Sequence, residues 1–467
     1  MPRSDASLPT FDVAVIGGGV VGCATVRRFA LAGRRAVLVE RSADILSGAS
    51  KGNSALLHTG FDAPSGSLEL ACMRDGYREF MAIRERLNLP LLRTGAMVVA
   101  WSAQEQAQLP AMAAHAAANG VTDVQLLDAA GVARREPRLA KSCGALWVPG
   151  EHVIDPWSTP LAYLTQAKAH GAVTQFDTEV EGGRFDGKAW TLGTSQGDLR
   201  ADLVINCAGL YGDVLESRLL GSSRFEIRPR KGQFVVFDKP AAALISHIVL
   251  PVPSEHTKGI VIARTIFGNV LVGPTAEEQP ERDRADVDPA ALKMLIEQAV
   301  RRVPALAGVP VNATYAGLRP ASERKEYRVH HDARQHYLAL GGIRSTGLTS
   351  ALGLARHAWA LAGDGTVPVD DEPASHAVHW PHMPNLAEHL PRDWEAPDHG
   401  EIVCHCEFVT RREIEAALTS AVPARDLGGL KRRTRACMGR CQGFYCSAQV
   451  AALTAGRFAQ PLAEDRT

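Results

Sequence analysis

The sequence predicts an α/β fold built on a dinucleotide-binding βαβ unit, with a small cysteine-rich appendage near its C-terminal end. Three observations carry this prediction. Short β-branched runs alternate with Ala/Leu-rich helical stretches from Phe11 to about Asp364. A glycine-rich turn, Gly17-Gly18-Gly19-Val20-Val21-Gly22, stands directly after the first of those runs. Five of the nine cysteines, Cys404, Cys406, Cys437, Cys441 and Cys446, crowd into one short stretch of the 467 residues.

The run Phe11 to Ile16 reads as a buried strand, Val20 to Ala32 as a helix, and Ala36 to Glu40 as a second strand. In the turn between the first two, Gly17, Gly19 and Gly22 occupy the three key positions of GxGxxG. They permit a tight turn, a close backbone approach to a pyrophosphate, and close helix–strand packing. The pyrophosphate then meets the free N–H groups and favourable dipole of the helix start. Glu40 follows Gly22 by eighteen residues, where its carboxylate can accept both ribose hydroxyls.

Later segments favour FAD over NAD. Asp202 to Gly209 forms a second strand-to-turn element whose Ala208-Gly209 pair permits backbone approach. Gly341 to Ser350 is a glycine-rich strand–turn–helix, offering amide donors around Gly342, Gly347, Leu348 and Thr349. A long FAD lying across the domain needs such distant contacts, and no second GxGxxG appears to hold a nicotinamide. Ser50, Asn53 and Ser54 lie in a polar loop suited to the phosphates or the flavin edge. Further strands read at 232–237, 259–263 and 269–272, and helical periodicity returns from Pro289 to Val303. The domain division expected is 11–366 for the oxidoreductase body, 367–399 for a linker rich in Pro, His, Asp and Glu, and 400–460 for the cysteine segment. An amphipathic helix is expected in that segment near Arg411–Ser420.

Hydrophobic residues make up 46% and charged residues 22%, as in a folded globular chain. Lys+Arg and Asp+Glu are both 51, and this balance argues against a nucleic-acid protein, whose affinity rests on phosphate neutralisation. No apolar run reaches the ~18–20 residues of a membrane span. The N-terminus has no apolar signal core, so the expected location is the cytoplasm, or peripherally the inner face of the membrane. Disulfides do not suit that compartment, and clustered cysteines there bind metal or do redox work. The four scattered cysteines, Cys23, Cys72, Cys143 and Cys207, read as small buried hydrophobes.

Residues 11–365 resemble the D-amino-acid oxidase (DAO) family of FAD-dependent oxidoreductases. Within it, Asn53 to Ala63 resembles the segment of FAD-dependent glycerol-3-phosphate dehydrogenases and L-2-hydroxyglutarate oxidases. Gly273-Pro274-Thr275, Gly317-Leu318-Arg319-Pro320 and Gly347-Leu348-Thr349-Ser350 are similar to the glycerol-phosphate type. The resemblance implies a Rossmann-type FAD domain with a mixed-sheet substrate domain, and it places Val180 among the cofactor contacts. Oxidation of a secondary alcohol needs a base for the hydroxyl proton, and the near-neutral imidazole of His58 suits that role. A packed, hydrogen-bonded histidine is the alternative. Arg319 can clamp a phosphate or carboxylate with its planar fork, or else form an ion pair. Arg264 and Arg344 are lesser candidates for the same task, and Lys231 reads as an exposed turn.

Among the clustered cysteines, Cys404 and Cys406 form C-x-C, Cys441 and Cys446 form C-x4-C, and 34 residues separate the pairs. Four thiolates suit a [2Fe–2S] cluster, a structural zinc or, without metal, a redox pair. The stretch resembles the bacterioferritin-associated-ferredoxin (BFD) type of [2Fe–2S] domain. Lys431 to Arg435, followed by Met438-Gly439-Arg440-Cys441-Gln442-Gly443, is its closest match. On that resemblance Cys404, Cys406, Cys441 and Cys446 are the ligands, while Cys437 could replace one of the last pair. The basic run Lys431, Arg432, Arg433 and Arg435 offsets the charge of a tetrathiolate cluster, or forms a solvated or docking face.

The activity expected is FAD-dependent dehydrogenation of a small anionic hydroxy compound, first glycerol 3-phosphate. Its electrons would pass through the cluster to a protein partner or a quinone-linked subunit. The alternatives are a 2-hydroxy acid dehydrogenase of the L-2-hydroxyglutarate type, an amine or amino-acid oxidase, and a non-catalytic electron-transfer subunit.

Overall fold

The computed structural model describes residues 8–253, 259–363 and 378–462. In it β1 (Thr10–Ile16), α1 (Val20–Leu31) and β2 (Ala36–Val39) form the expected βαβ unit, with β1 and β2 parallel. The period-two alternation of β1 sorts its side chains between two cores. Val13 and Val15 join Val26, Phe29 and Leu38 on one face of the sheet, while Ala14 and Ile16 join Val37, Val39 and Val204 on the other. Apolar side chains on both faces are what a parallel sheet sandwiched between layers requires.

This first sheet has eight strands. Val173–Gln175, β2, β1 and Leu199–Asn206 run parallel in that order. The second half of Leu199–Asn206 pairs in parallel with Tyr337–Gly341, and its first half pairs with the antiparallel strand Trp190–Thr194. The chain turns from Tyr337–Gly341 into the long helix Gly347–Ala362, so the carboxyl ends of the parallel strands face helix starts.

The second sheet is mixed, with nine strands. Ile248–Pro251 runs parallel to Ala96–Ala100, and the other pairs are antiparallel. Helix Pro289–Arg302 backs it, burying Leu295 and Ala299 with Val235, Phe237, Val270 and Val272. Arg230–Phe237 pairs with Val311–Arg319 in a register that sets Arg230 opposite Arg319.

Lys231 belongs to that strand and pairs with Glu277 at 3.1 Å, so it is a sheet residue and not an exposed turn. Strand alternation supplies the reason. A run that begins Arg-Lys reads as a loop by composition, yet both side chains find carboxylate partners on the neighbouring strand Glu277–Glu278.

Of the stretch expected as a linker, residues 364–377 lie outside the described residues. From 378 to 399 the chain is irregular but seated on the body. Met383, Leu386 and Ala387 are buried, the Met383 N–H donates to Leu87 O at 3.1 Å, and the Glu388 N–H donates to Ile266 O at 2.9 Å. A segment without helical or strand period gives no sign of burial in its sequence, because its apolar residues join different cores, Met383 one and Leu386 with Ala387 another.

The C-terminal unit consists of a short hairpin, Ile402–Cys404 with Val409–Thr410, and helices Arg411–Thr419, Leu427–Thr434 and Ser447–Thr454. Thr410 and Glu413 close the start of its first helix as a reciprocal capping box. Its own core holds Val403, Ile414, Leu418, Leu430 and Val450.

Three kinds of contact fasten this unit to the body. Asp44, fully buried after β2, accepts from Arg433 through both oxygens at 2.7 and 2.8 Å. Arg432 donates to Ile45 O at 2.9 Å, and Gln442 donates to Asn312 O at 3.0 Å. The Arg435 guanidinium lies 4.2 Å above the Phe267 ring, which in turn stacks on Trp157.

Candidate active site and cluster site

One cavity of about 710 Å³ opens at the carboxyl ends of the parallel strands and extends to the second sheet. The glycine turn forms its floor. Gly17 has φ +111°, and a Cβ there would lie 2.5 Å from Cys207 O; a Cβ on Gly22 would lie 1.9 Å from Gly17 O. Only glycine fits either position, which lets the turn pack tightly and leaves the helix start open to an anion. Gly22 therefore serves helix–strand packing and does not line the cavity.

Glu40 lines the cavity with one carboxylate oxygen accepting from Gly18 N at 2.6 Å and the other from Ser42 N at 2.8 Å. Each oxygen keeps acceptor capacity for a diol. Ser50 accepts from Val20 N at 3.1 Å, so the polar loop is tied to the first turn of the helix. Asn206, buried behind the second strand end, accepts from Ala208 N and donates to Gly212 O, which shapes the Ala208-Gly209 turn.

Ser50, Asn53, Ser54, Val180, Ala208, Gly209, Gly342, Gly347 and Leu348 all line the cavity with Gly17, Gly19 and Glu40. Thr349 does not. It is buried one turn into the helix and accepts from His58 N at 3.0 Å, so it supports the histidine instead. The donor set thus fits a dinucleotide: an acid for the ribose, a bare helix start for the pyrophosphate, and a polar loop beyond.

His58 lines the same cavity. Its Nδ1 meets Glu151 Oε2 at 2.7 Å, and the other oxygen of this fully buried carboxylate accepts from Thr59 N at 2.6 Å and Thr59 Oγ1 at 2.8 Å. A carboxylate so held accepts a proton from Nδ1, which makes Nε2 the basic nitrogen of the neutral ring. Glu151 escaped the sequence reading because it lies 93 residues from His58 with no motif to join them. Its neighbours, Gly150 and His152, carry no periodic signal.

Arg319 also lines the cavity, at the end of its strand. It donates to Thr275 O at 2.8 Å, and among the described residues no carboxylate pairs with it. Burial, with Arg230 nearby, pushes its guanidinium down to about 10. The charge is thus held at neutral pH without an internal counter-ion. Arg344 lines the cavity too, 3.5 Å from Glu69, and its Nε is buried without a partner. Arg230 and Lys325, which the sequence reading did not single out for this role, add to the basic lining near Arg319, and Arg41, Lys51, Arg218 and Arg282 line the cavity as well. Arg264 ends the strand Val261–Arg264 outside the cavity; Val261 faces the cavity but Arg264 does not, so it is not placed to clamp a ligand there.

The five clustered cysteines come together at one end of the C-terminal unit. The thiols of Cys406 and Cys441 interact with each other, as do those of Cys404 and Cys446. Backbone N–H groups of Tyr445, Gly443 and Phe444 pull the Cys441 thiol down, favouring thiolate. Burial pushes Cys404 up to about 11, against N–H donors from Cys437 and Glu407. Two facing thiol pairs with amides aimed at sulfur suit a cluster of two irons, each needing two thiolates.

Comparison with known proteins decides the family. The model described as "FAD dependent oxidoreductase" (DAO) matches residues 12–361. The chain belongs to the DAO family of FAD-dependent oxidoreductases. A second model, "BFD-like [2Fe-2S] binding domain", matches residues 402–455. This DAO-family chain is an FAD-dependent oxidoreductase with FAD and a [2Fe–2S] cluster as its cofactors. It is 30% identical over 452 residues to a glycerol 3-phosphate dehydrogenase of Caloramator mitchellensis, covering 94% of this chain and 93% of that one. It is 29% identical to a glycerol 3-phosphate oxidase of Mycoplasma pneumoniae, covering 76% and 95%. It is 26% identical to a mitochondrial L-2-hydroxyglutarate dehydrogenase of Caenorhabditis elegans, covering 59% and 65%.

Among solved structures, L-α-glycerophosphate oxidase of Mycoplasma pneumoniae with FAD bound superposes with a TM-score of 0.72 at 26% identity, covering 76% and 95% of the two chains. Glycine oxidase of Geobacillus kaustophilus shares the fold, with a TM-score of 0.69 over 79% and 99% of the chains at 24% identity. No helix among the described residues is long and apolar enough to cross a membrane.

Proposed function

We propose that this chain oxidises the secondary alcohol of glycerol 3-phosphate to the ketone of dihydroxyacetone phosphate, and that its cluster hands the electrons to a protein or quinone-linked acceptor. One observation carries the substrate reading. Arg319, a guanidinium with no carboxylate partner among the described residues, shares a cavity with the His58–Glu151 pair. A buried cation lacking its counter-ion is poised for an anionic ligand, and a planar fork suits a phosphate. The likeness to a glycerol 3-phosphate dehydrogenase runs through both domains and supports this choice.

In the proposed reaction Arg319 binds the phosphate and fixes the substrate's orientation, with Arg344 and Lys325 adding positive charge. His58 Nε2 accepts the proton of the reacting hydroxyl. Glu151 holds the ring and stabilises the imidazolium that results, while Thr59 keeps the carboxylate from turning away. FAD, when bound against Gly17, Gly19, Glu40 and the helix start at Gly347, supplies the acceptor for the hydride leaving the same carbon.

Cys404, Cys406, Cys441 and Cys446 are the proposed cluster ligands, and a [2Fe–2S] cluster held there supplies one-electron transfer. Phe444 and Tyr445, 82% and 77% exposed between two of those cysteines, support contact with an acceptor protein at this end.

Anaerobic bleaching of the flavin absorbance tests the substrate, using glycerol 3-phosphate, L-2-hydroxyglutarate, glycine and L-proline as donors. Rapid bleaching by glycerol 3-phosphate alone is expected. Bleaching by the hydroxy acid and not by the phosphate would replace this reading with a 2-hydroxy acid dehydrogenase. Bleaching by no donor, with reduction through a co-purifying chain, would make the protein an electron-transfer subunit.

A further inference from the structure

Five thiols meet where a [2Fe–2S] cluster uses four, and the fifth has a definite place. Cys437 Sγ lies 3.4 Å from Cys446 Sγ, both buried. Two thiolates on one tetrahedral metal stand about 3.8 Å apart when each metal–sulfur bond is about 2.3 Å. Cys437 is therefore within a small side-chain adjustment of the point that Cys446 occupies.

The backbone of the same residue already belongs to this site. The Cys437 N–H points at the thiols of both Cys404 and Cys446. Its backbone is left-handed, with φ +62°, in a loop where Arg435, Gln442 and Gly443 share that conformation. Gly443 packs against it as well, since a Cβ there would lie 3.4 Å from Cys437 Sγ. Cys441 and Cys406 form the opposite pair.

We propose that Cys437 is an alternate ligand for the iron served by Cys446. Four thiolates hold the cluster at any time, and Cys437 binds when Cys446 is lost or blocked. In the exchange the Cys437 thiol gives its proton to solvent as its sulfur bonds iron. The Cys446 sulfur leaves as thiolate and takes a proton, so no electron is gained or lost. The inference rests on the assignment of Cys404, Cys406, Cys441 and Cys446 as ligands.

The test uses the full-length protein purified without oxygen, as wild type, C437A, C446A, C437A/C446A and C441A. Iron and acid-labile sulfide per chain, visible circular dichroism and FAD content are measured for each. FAD content reports that the body remains folded. Expected are two irons and two sulfides in wild type and C437A with matching spectra, and the same content in C446A with shifted visible bands. The double variant and C441A should hold less than a tenth of the wild-type iron while retaining FAD. Loss of the cluster from C446A, with C437A intact, would overturn the proposal, and so would its loss from C437A alone. Retention of a full cluster by C441A, or its absence from wild type, would instead break the ligand assignment beneath the proposal.

Discussion

Replacing Arg319 with Met removes the charge and the fork while keeping a side chain of similar length. Among the described residues the one internal hydrogen bond lost is that to Thr275 O, so the fold should lose about 1 kcal/mol. The charge itself has no carboxylate to strand, and replacing an uncompensated buried cation by an apolar side chain is not costly. Binding is another matter. Removing one partner of a desolvated, hydrogen-bonded charge pair costs ~2–5 kcal/mol. At about 1.4 kcal/mol for each factor of ten, kcat/KM for glycerol 3-phosphate should fall by ~30- to 4,000-fold. The informative assay runs the same variant on glycerol, which presents the reacting hydroxyl without the phosphate. Anaerobic stopped-flow reduction should show kcat/KM for glycerol changed less than about threefold, the range expected where no contact is lost. If R319M slows both donors by the same factor, Arg319 supports the site without touching the anion, and the argument from its missing counter-ion fails.

Three further predictions test other parts of the site. Glu151→Gln presents an amide donor to His58 Nδ1, shifts the ring proton to Nε2, and so disables the base; kcat should drop ~10²–10⁴-fold with FAD content unchanged, and an unchanged kcat refutes the role given to Glu151. Arg319 is protonated below about 10 and loses its charge as pH rises through that value, so KM for glycerol 3-phosphate should climb above about pH 10 while KM for glycerol stays level; parallel curves for the two donors would contradict this. Asp44→Ala leaves Arg433 buried without its anion, at a cost of ~3–5 kcal/mol. Trypsin should then cut the 378–399 strap faster, and Tm should fall by about 3–5 °C; wild-type cleavage rates and Tm would show that the pair does not fasten the unit.

What could be read from the sequence follows the distance over which each device is encoded. The glycine turn with Glu40, and the C-x-C and C-x4-C pairs, place their chemistry within short stretches of chain, so residue type and spacing suffice. Arg319 and Arg264 look alike in sequence, each an arginine closing an apolar strand. Sheet register decides between them by setting Arg319 opposite Arg230 at the cavity and leaving Arg264 outside it. Glu151 and Asp44 are farther from view, since their partners stand 93 and 389 residues away. Thr349 shares the helix start with Gly347 and Leu348 but turns away from the cavity to accept from His58 N, because a helix rotates each successive side chain by a large angle and only packing shows which one faces the cavity.

Asp44 stands four residues after Glu40 on the chain that lines the cavity, yet besides the Ile45 N–H its carboxylate accepts only from the C-terminal unit among the described residues, from Arg433 and the Arg425 N–H. A ligand that orders this stretch necessarily favours seating of the iron-binding unit, and by thermodynamic reciprocity a seated, metal-loaded unit favours retention of the nucleotide. The two prosthetic groups are therefore linked through this one carboxylate, and a chain short of iron should bind its flavin somewhat more weakly while still retaining it.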